Sequence, residues 1–388
     1  MFKKVPKNVF ILGLVSFFND VASEMIYPIV PIFLTSVLHV PVSVVGLIEG
    51  IAEATASIMK FVFGYVSDKA AKRKIFVTGG YSLSAISKAL MGFAYSWPFV
   101  LFARFLDRLG KGVRTSARDA LLLQNATSQN KGFIFGFHRA MDSAGAVVGP
   151  LIALVLLYSL QENIRLVFFL AFIPSVIGVI LLIIFVKEKK KLNDGEKFNF
   201  SFKWKNLNPK FKFFLLISLI FALGNSSDAF LILRAQDLGL TTILITLAYV
   251  FYNVSQTIFS TPAGSLADKI GARRVYGIGL LIFAAVYVAF AMINDPVWLW
   301  VIFPIYGIYI AFTDGVSKAY ISHYIEEKES GTYFGIYQTG IALSAFFASF
   351  FSGILWTQFG PPATFFYGAG MAVLAFIALS YGKIARGI

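Results

Sequence analysis

The chain has 388 residues, 57% of them hydrophobic and only 14% charged. Apolar runs close to the ~20 residues that cross a bilayer recur along nearly its whole length, which excludes a water-soluble globular protein. The absence of cysteine excludes disulfide frameworks, thiolate metal sites and thiol nucleophiles, while the net charge of +14 raises nucleic acid as a partner and must be judged by where it sits.

In chain order, a first helix is predicted over 9–38, its outer part kinked at Pro28 and Pro31, and a second over 42–68. No small-residue cleavage site follows the N-terminal apolar segment, so the first helix reads as retained and not as a signal peptide. A third helix starts after Lys74 and ends near Ala94; Trp97-Pro98 marks the outer turn into a fourth, which becomes charged from Arg104 onward. The fifth spans 132–160 and the sixth 165–186. Residues 187–210 are polar, basic and Asn-rich, with Asp194-Gly195 as a turn signal, and form the long connector between two halves. There Phe198, Phe200, Phe202 and Trp204 alternate with polar residues, which fits either an amphipathic segment on an anionic leaflet or a solvated linker. Six more helices begin near Phe211, Thr241, Val275, Trp298, Gly331 and Ala363. The expected architecture is an all-α membrane protein of about twelve transmembrane helices in two pseudo-symmetric six-helix bundles, over 1–186 and 211–388, joined by the linker 187–210.

The basic residues fall on alternate connections. Lys3, Lys4 and Lys7 precede the first helix, Lys69, Lys72, Arg73 and Lys74 follow the second, Arg114, Arg118 and Lys131 follow the fourth, and a cluster over 187–212 follows the sixth. The other turns, around Leu38-His-Val-Pro41, Tyr95-Ser-Trp-Pro98 and Asn294-Asp-Pro296, hold no Lys or Arg, with Arg165 as an exception. This positive-inside asymmetry puts both termini in the cytoplasm and the protein in the cytoplasmic membrane, and makes nucleic-acid binding unnecessary.

One charged turn is repeated. Gly64-Tyr-Val-Ser-Asp68-Lys69-Ala-Ala-Lys72-Arg73-Lys74 returns two hundred residues later as Gly264-Ser-Leu-Ala-Asp268-Lys269-Ile-Gly271-Ala-Arg273-Arg274, each copy with its Asp taken to be buried before the basic run. A second echo pairs Gly132-Phe-Ile-Phe135-Gly136 with Gly331-Thr-Tyr-Phe334-Gly335 at nearly the same offset, so each half carries the same plan.

The repeated turn resembles the signature loop between helices two and three of the major facilitator superfamily, and its echo between helices eight and nine is also a feature of that superfamily. The resemblance implies the major facilitator fold. It also implies that Gly64, Asp68, Lys69 and Arg73, and more weakly Gly264, Asp268, Lys269, Gly271 and Arg273, steady one conformation of a transport cycle. The first copy departs from the pattern at Ala71, where the family has Gly.

Ionisable residues inside a spanning helix cost roughly 3 kcal/mol each on insertion scales and so face a cavity or a partner. Asp20, Ser23, Glu24 and Tyr27 share one face of the first helix, Glu49, Glu53 and Lys60 one face of the second, and Arg104, Asp107, Arg108 and Lys111 a stripe on the fourth. The fifth adds His138, Arg139 and Asp142, and the third Lys88. This set reads either as an ion-pair network packing helices one, two, four and five, or as carboxylates that change protonation during transport, since burial disfavours the charged form of a carboxylate. The proton-linked group is expected among Asp20, Glu24, Glu49 and Glu53, with Arg104 or Arg108 as counter-charge. Arg108 and Gly112 resemble the superfamily's R-x-x-x-G motif, whose Arg is associated with proton transfer. Gly145, Gly149 and Pro150 resemble the antiporter stretch of its fifth helix, with Ala153 in place of the last Gly. That resemblance implies export, while the small residues themselves imply close helix approach.

The second half is polar but less charged: Asn225 and Asp228 in helix seven, Tyr249, Tyr252, Asn253 and Gln256 in helix eight, and Tyr306, Tyr309 and Asp314 in helix ten. With Tyr27, these are the candidate lining of a substrate cavity suited to an amphipathic organic molecule. The expected function is a monomeric secondary transporter, not an enzyme, working by alternating access and exchanging protons for amphipathic or cationic small molecules. Transport of organic anions or organophosphates on the Arg/Lys cluster, and a receptor without flux, are the alternatives. No cofactor or metal is expected: a Walker-type phosphate loop is absent, and His39, His138 and His323 lack ligand spacing.

Overall fold

Inside hydrocarbon a backbone amide finds no water, so a chain this apolar satisfies its N–H and C=O groups within helices. The computed structural model describes residues 5–70, 72–125, 131–188, 207–322 and 330–384, and among them contains helices and no strand. The helices are α1 (Lys7–Ile26), α2 (Val30–Ile32, running into a π-helical turn Phe33–Val37), α3 (Val42–Ala70), α4 (Arg73–Gly92), α5 (Trp97–Leu123), α6 (Lys131–Ser159) and α7 (Ile164–Phe185). The second half holds α8 (Pro209–Gly224), α9 (Ala229–Asp237), α10 (Thr242–Ile270), α11 (Ala272–Met292), α12 (Leu299–Ser322), α13 (Ser330–Phe359) and α14 (Pro361–Ile384). Taking α1 with α2 and α8 with α9 as interrupted single spans gives the twelve that the sequence predicts. Ten of these are apolar enough to cross a membrane by composition, and the two that are not are α4 and α5. The amphipathic reading of 198–204 falls outside the described residues.

The repeat survives in detail. α3 and α10 start at 42 and 242 and end at 70 and 270. The turns before them carry left-handed residues at matching places, His39 with φ 53° and Gly239 with φ 91°. The interruptions also match, one after Ile26 beside Pro28 and one over Asn225–Asp228.

Two compact units emerge, one of residues 1–39 with 55–197, the other of 40–54 with 198–388. The long helix α3 therefore contributes its first turns to the second unit and the rest to the first. In the first unit α1 packs on α6 and α7, and α4 on α5 and α7. Val9, Leu12, Val15, Val77, Ala117, Leu121, Ile134 and Leu182 form an apolar core there. In the second unit α12 packs on α10 and α11, and α14 on α8 and α11. Gly46 and Gly50 of α3 bring its backbone against Ser349 and Phe346 of α13, and Thr357 accepts the Ser43 amide at 3.1 Å to cap the helix start.

A reciprocal close approach joins α4 to α5 in the first unit. A Cβ at Gly80 would stand 2.6 Å from the Gly110 carbonyl oxygen, and one at Gly110 would stand 2.5 Å from that of Gly80. Gly79, one residue earlier, has nothing within 4 Å of the same position. Adjacent Gly→Ala changes should therefore have opposite signs. Gly79→Ala gains up to about 1 kcal/mol of helix propensity, whereas Gly80→Ala loses about 1–3 kcal/mol to overpacking against backbone. Melting temperatures of the two purified variants check this, and equal shifts would refute the packing.

Candidate functional site

The polar residues gather in two clusters, one in each unit. In the second unit the organising feature is the break between α8 and α9. Asn225-Ser-Ser-Asp228 supplies four residues that compete with helical hydrogen bonding through their own side chains, and Asn225 leaves the helix with ψ 81°. Ser227 Oγ accepts the Ala229 amide at 3.3 Å and so caps α9. That frees Asp228, which occupies the cap position without capping. Its carboxylate instead accepts the Tyr306 hydroxyl at 2.6 Å and the Tyr252 hydroxyl at 3.0 Å. Both rings belong to an aromatic ladder: Tyr249–Tyr252 at 5.2 Å, Tyr252–Tyr306 at 5.3 Å and Tyr306–Tyr309 at 4.9 Å between centroids. Tyr287 extends the ladder, stacked on Phe283 at 3.9 Å.

Glu49 belongs to this cluster. Ser227 Oγ donates to its Oε2 at 3.4 Å, and the carboxylate is buried. Glu53, one turn on, acts with Glu49 on Asp228 as a like charge. The part of α3 that carries both residues belongs to the second unit. Asn253 spends its amide on the Tyr249 carbonyl at 3.0 Å. Gln256 is partly buried one turn further along α10. Asp314 lies apart, exposed and paired with Lys318 at 3.2 Å. Tyr27 falls in the first unit, under the Arg104 guanidinium at 5.9 Å.

In the first unit, α4 and α5 turn their polar groups on each other. Lys88, with no exposed surface, donates to Asp107 at 3.3 Å and to the Ser84 carbonyl at 3.0 Å. Arg114 donates to Ser84 Oγ at 2.5 Å and covers the Tyr81 ring at 4.6 Å. Arg104 and Arg108 are also buried, while Arg139 is exposed. Gly145 and Gly149 of α6 face the turn of α1 that carries Asp20 and Glu24; a Cβ at either would lie 2.9 Å from the matching carboxylate residue's Cβ. Pro150 lies within the same helix. His138 Nδ1 is 3.5 Å from Asp142 Oδ2, and Arg118 bridges Asp119 at 3.0 Å and Ser16 at 3.3 Å.

A sequence model of the Major Facilitator Superfamily matches residues 12–233 and 213–385. The chain belongs to the major facilitator superfamily. An uncharacterized MFS-type transporter of Methanocaldococcus jannaschii is 38% identical over 98% of this chain and 96% of its own length. Multidrug resistance protein MdtH of Enterobacter sp. is 28% identical over 37% of this chain and 35% of its own. Among solved structures, the nucleoside transporter NupG superposes with a TM-score of 0.80 over 96% of this chain and 99% of that one; its 14% identity makes this a likeness of fold. The protein is an integral membrane transporter of this superfamily and not an enzyme.

The repeated charged turn is held by contacts from distant segments. Glu188, beyond the end of α7, accepts the Arg73 amide at 2.5 Å and the Lys74 amide at 3.2 Å, capping α4. Arg73 donates to the Ala120 carbonyl at 3.4 Å, and a Cβ at Gly64 would meet Ser116 Oγ at 3.2 Å. The side chains of Asp68 and Lys69, and all of Ala71, lie outside the described residues, as does His323. In the second copy Gly271 takes φ 93° to end α10, Arg273 donates to the Leu379 carbonyl, and a Cβ at Gly264 would meet nothing. Asp268 and Lys269 are exposed there, which corrects the expectation of a buried Asp: α10 ends in its own left-handed glycine and leaves the carboxylate in the open.

Glu188 carried no signal, because its partners are 114 and 115 residues away. The break at Asn225 did carry one, in four successive cap-forming residues after Gly224. Lys88 and Asp107 give a test of the buried pair. Removing one charge leaves the other stranded, so Lys88→Met or Asp107→Leu alone should cost about 3–5 kcal/mol. The double replacement should recover most of that loss in a chemical or thermal unfolding cycle, and additive losses would show that the two charges do not depend on each other.

Proposed function

We propose that this transporter moves cationic or amphipathic small organic molecules outward across the cytoplasmic membrane in exchange for protons, as a monomer with both termini inside. Two six-helix halves, 1–186 and 211–388 joined by 187–210, alternate access to the binding site. The observation that carries the substrate class is the environment of Asp228. Both hydrogen bonds to its carboxylate come from neutral phenols, and the charged groups that weigh most on it, Glu53 and Glu49, are themselves acids. Such a group takes a cation or a proton in preference to an anion. The stacked tyrosines beside it supply faces for a planar or lipophilic cation. A break in a spanning helix is where transporters of this class place substrate groups. Export draws support from the Gly145-Gly149-Pro150 stretch and from the Enterobacter relative, which is named a multidrug resistance protein.

A thermal-shift series on the purified protein tests this, since a ligand that binds the folded state raises its melting temperature. Tetraphenylphosphonium should stabilise the protein, and more so as pH rises, because protons and the cation compete for one carboxylate. Asp228→Asn should weaken binding about tenfold or more, the loss of one charge-assisted contact. Stabilisation by phosphate esters instead, abolished by Arg104→Ala or Arg108→Ala, would favour an organic-anion transporter and overturn the cation reading.

A further inference from the structure

The first unit contains a second cluster that the substrate reading leaves unused. His138 on α6 is buried at 4% exposure, with Nδ1 3.5 Å from Asp142 Oδ2. Its other nitrogen, Nε2, has no hydrogen-bond partner among the described residues, nor has Asp142 Oδ1. On the facing turn of α1, Asn19 donates its Nδ2 to Asp20 Oδ1 at 3.4 Å, while its own Oδ1, equally buried, has no partner. The Asp20 and Asp142 carboxylates act on each other electrostatically. Their helices are held together one turn away by Gly145, where a Cβ would stand 2.9 Å from that of Asp20.

A structural ion pair satisfies its lone pairs; this cluster does not. A buried polar atom left unsatisfied costs about 1–3 kcal/mol, and here three fall on neighbouring turns of two packed helices. Two of them, Asp142 Oδ1 and Asn19 Oδ1, are acceptors only. A site short of donors is one that takes up a proton. The cations around it are spent or face it as a field. Arg118 donates to Asp119 and Ser16, and Arg114 to Ser84. Lys111, Arg114 and Arg118 of α5 act on Asp20, Arg118 on Asp142, and Arg118, Asp119 and Arg139 on His138, with Tyr81 of α4 beside Arg118.

We propose that Asp20, Asp142 and His138 form a proton-exchange relay within the first unit, separate from the substrate-binding carboxylate Asp228 of the second. It rests on the proton-coupled reading above and gives that coupling its address. Each step is a bare proton transfer. When Asp142 is a carboxylate, His138 donates its Nδ1–H to it. When a proton arrives on Asp142, the ring gives up its Nδ1 hydrogen and takes one at Nε2, so that Nδ1 accepts from the new Asp142 O–H and the pair gains one proton in all. Asp20, across the α1–α6 contact, takes or returns the proton, since two carboxylates that act on each other do not readily ionise together. His138 is the positioning group that sets the tautomer, and the two aspartates hold the proton.

Infrared difference spectra of the reconstituted protein, recorded against pH without substrate, read the relay directly. The wild type should gain a protonated-carboxyl band as pH falls, and Asp142→Asn should lose it. His138→Gln should keep the band and move its midpoint by about one pH unit, which a purely packing role would not do. Asp295→Asn, at an exposed loop cap, should leave it unchanged. Should Asp142→Asn fail to fold, Asp20→Asn decides, since it must shift or remove the same band. An unchanged band in Asp142→Asn, or in both His138→Gln and Asp20→Asn, overturns the relay. Because no substrate is present, a titrating band with no cation binding would fail the substrate reading and spare the relay, and the converse result would do the opposite.

Discussion

Hydrocarbon offers a polar side chain neither water nor counter-ion, so each charge in a spanning helix must find its partner in the protein. The pair α4 and α5 lives under this constraint most severely. Neither helix is apolar enough to cross a membrane alone. Together they qualify, because Lys88 meets Asp107, Arg114 meets Ser84, and Ser87 lies 3.5 Å from Asp107. Those contacts need the backbones close, and Gly80 against Gly110 is what permits it. Sterics and electrostatics are thus one condition here: a side chain on either glycine would part the helices and strand the charges.

The same constraint explains why the halves match in plan but differ in chemistry. Each must close the carbonyls at the C-terminal end of its third helix, and each does so with an arginine. In the first half Arg165, from the start of α7, donates to the Gly92 and Ala94 carbonyls, flanked by the rings of Phe33 and Tyr95. In the second half Arg234, from α9, donates to the Phe290 and Ile293 carbonyls. The places correspond two hundred residues apart, but the arginines come from different helices. Arg165 was the exception to the charge asymmetry of the loops. Its guanidinium is absorbed by carbonyls and aromatic faces, so it behaves as a cap and not as a topological signal.

How much of this was legible in the sequence follows from the range of each force. Helix number, the repeat and the starts of α3 and α10 were readable, because hydropathy, Gly and basic residues report local conditions; the charged turns were not, since helix runs on through them to Ala70 and Ile270. Tyr252 and Tyr306 sit on the helices where the sequence places them, whereas Asp228, expected within a helix, stands in the break before α9. Partners were not readable. Periodicity assigns Glu49 to a face of its helix but cannot say that Ser227 stands opposite, 178 residues away. It gave Glu188 no role, because a cap contributed from the end of α7 leaves no mark near α4. It placed Asp107 in a stripe with Arg104 and Arg108, where the bond actually made is to Lys88. The buried Asp expected at both signature turns reflects one pattern read onto two copies, and the second ends in Gly271, which closes the helix without the carboxylate.

What distinguishes the carboxylates is the company each keeps. Asp107 faces Lys88 and stands compensated, so it has no need of a visitor. Asp119 is held by Arg118, and Asp314 by Lys318. Asp228 has only hydroxyls as hydrogen-bond donors and other acids as its weightiest charged neighbours. Asp142 has an imidazole on one oxygen and no hydrogen-bond partner among the described residues on the other, with Arg118 acting on it only as a field. A charge already matched contributes structure; a charge left wanting a proton or a cation contributes a binding equilibrium. In a membrane the difference is large, because the uncompensated state cannot be relieved by solvent. On that ground the two proposed sites, one in each unit, differ from the matched pairs Lys88–Asp107, Arg118–Asp119 and Lys318–Asp314, whose charges are already answered within the protein.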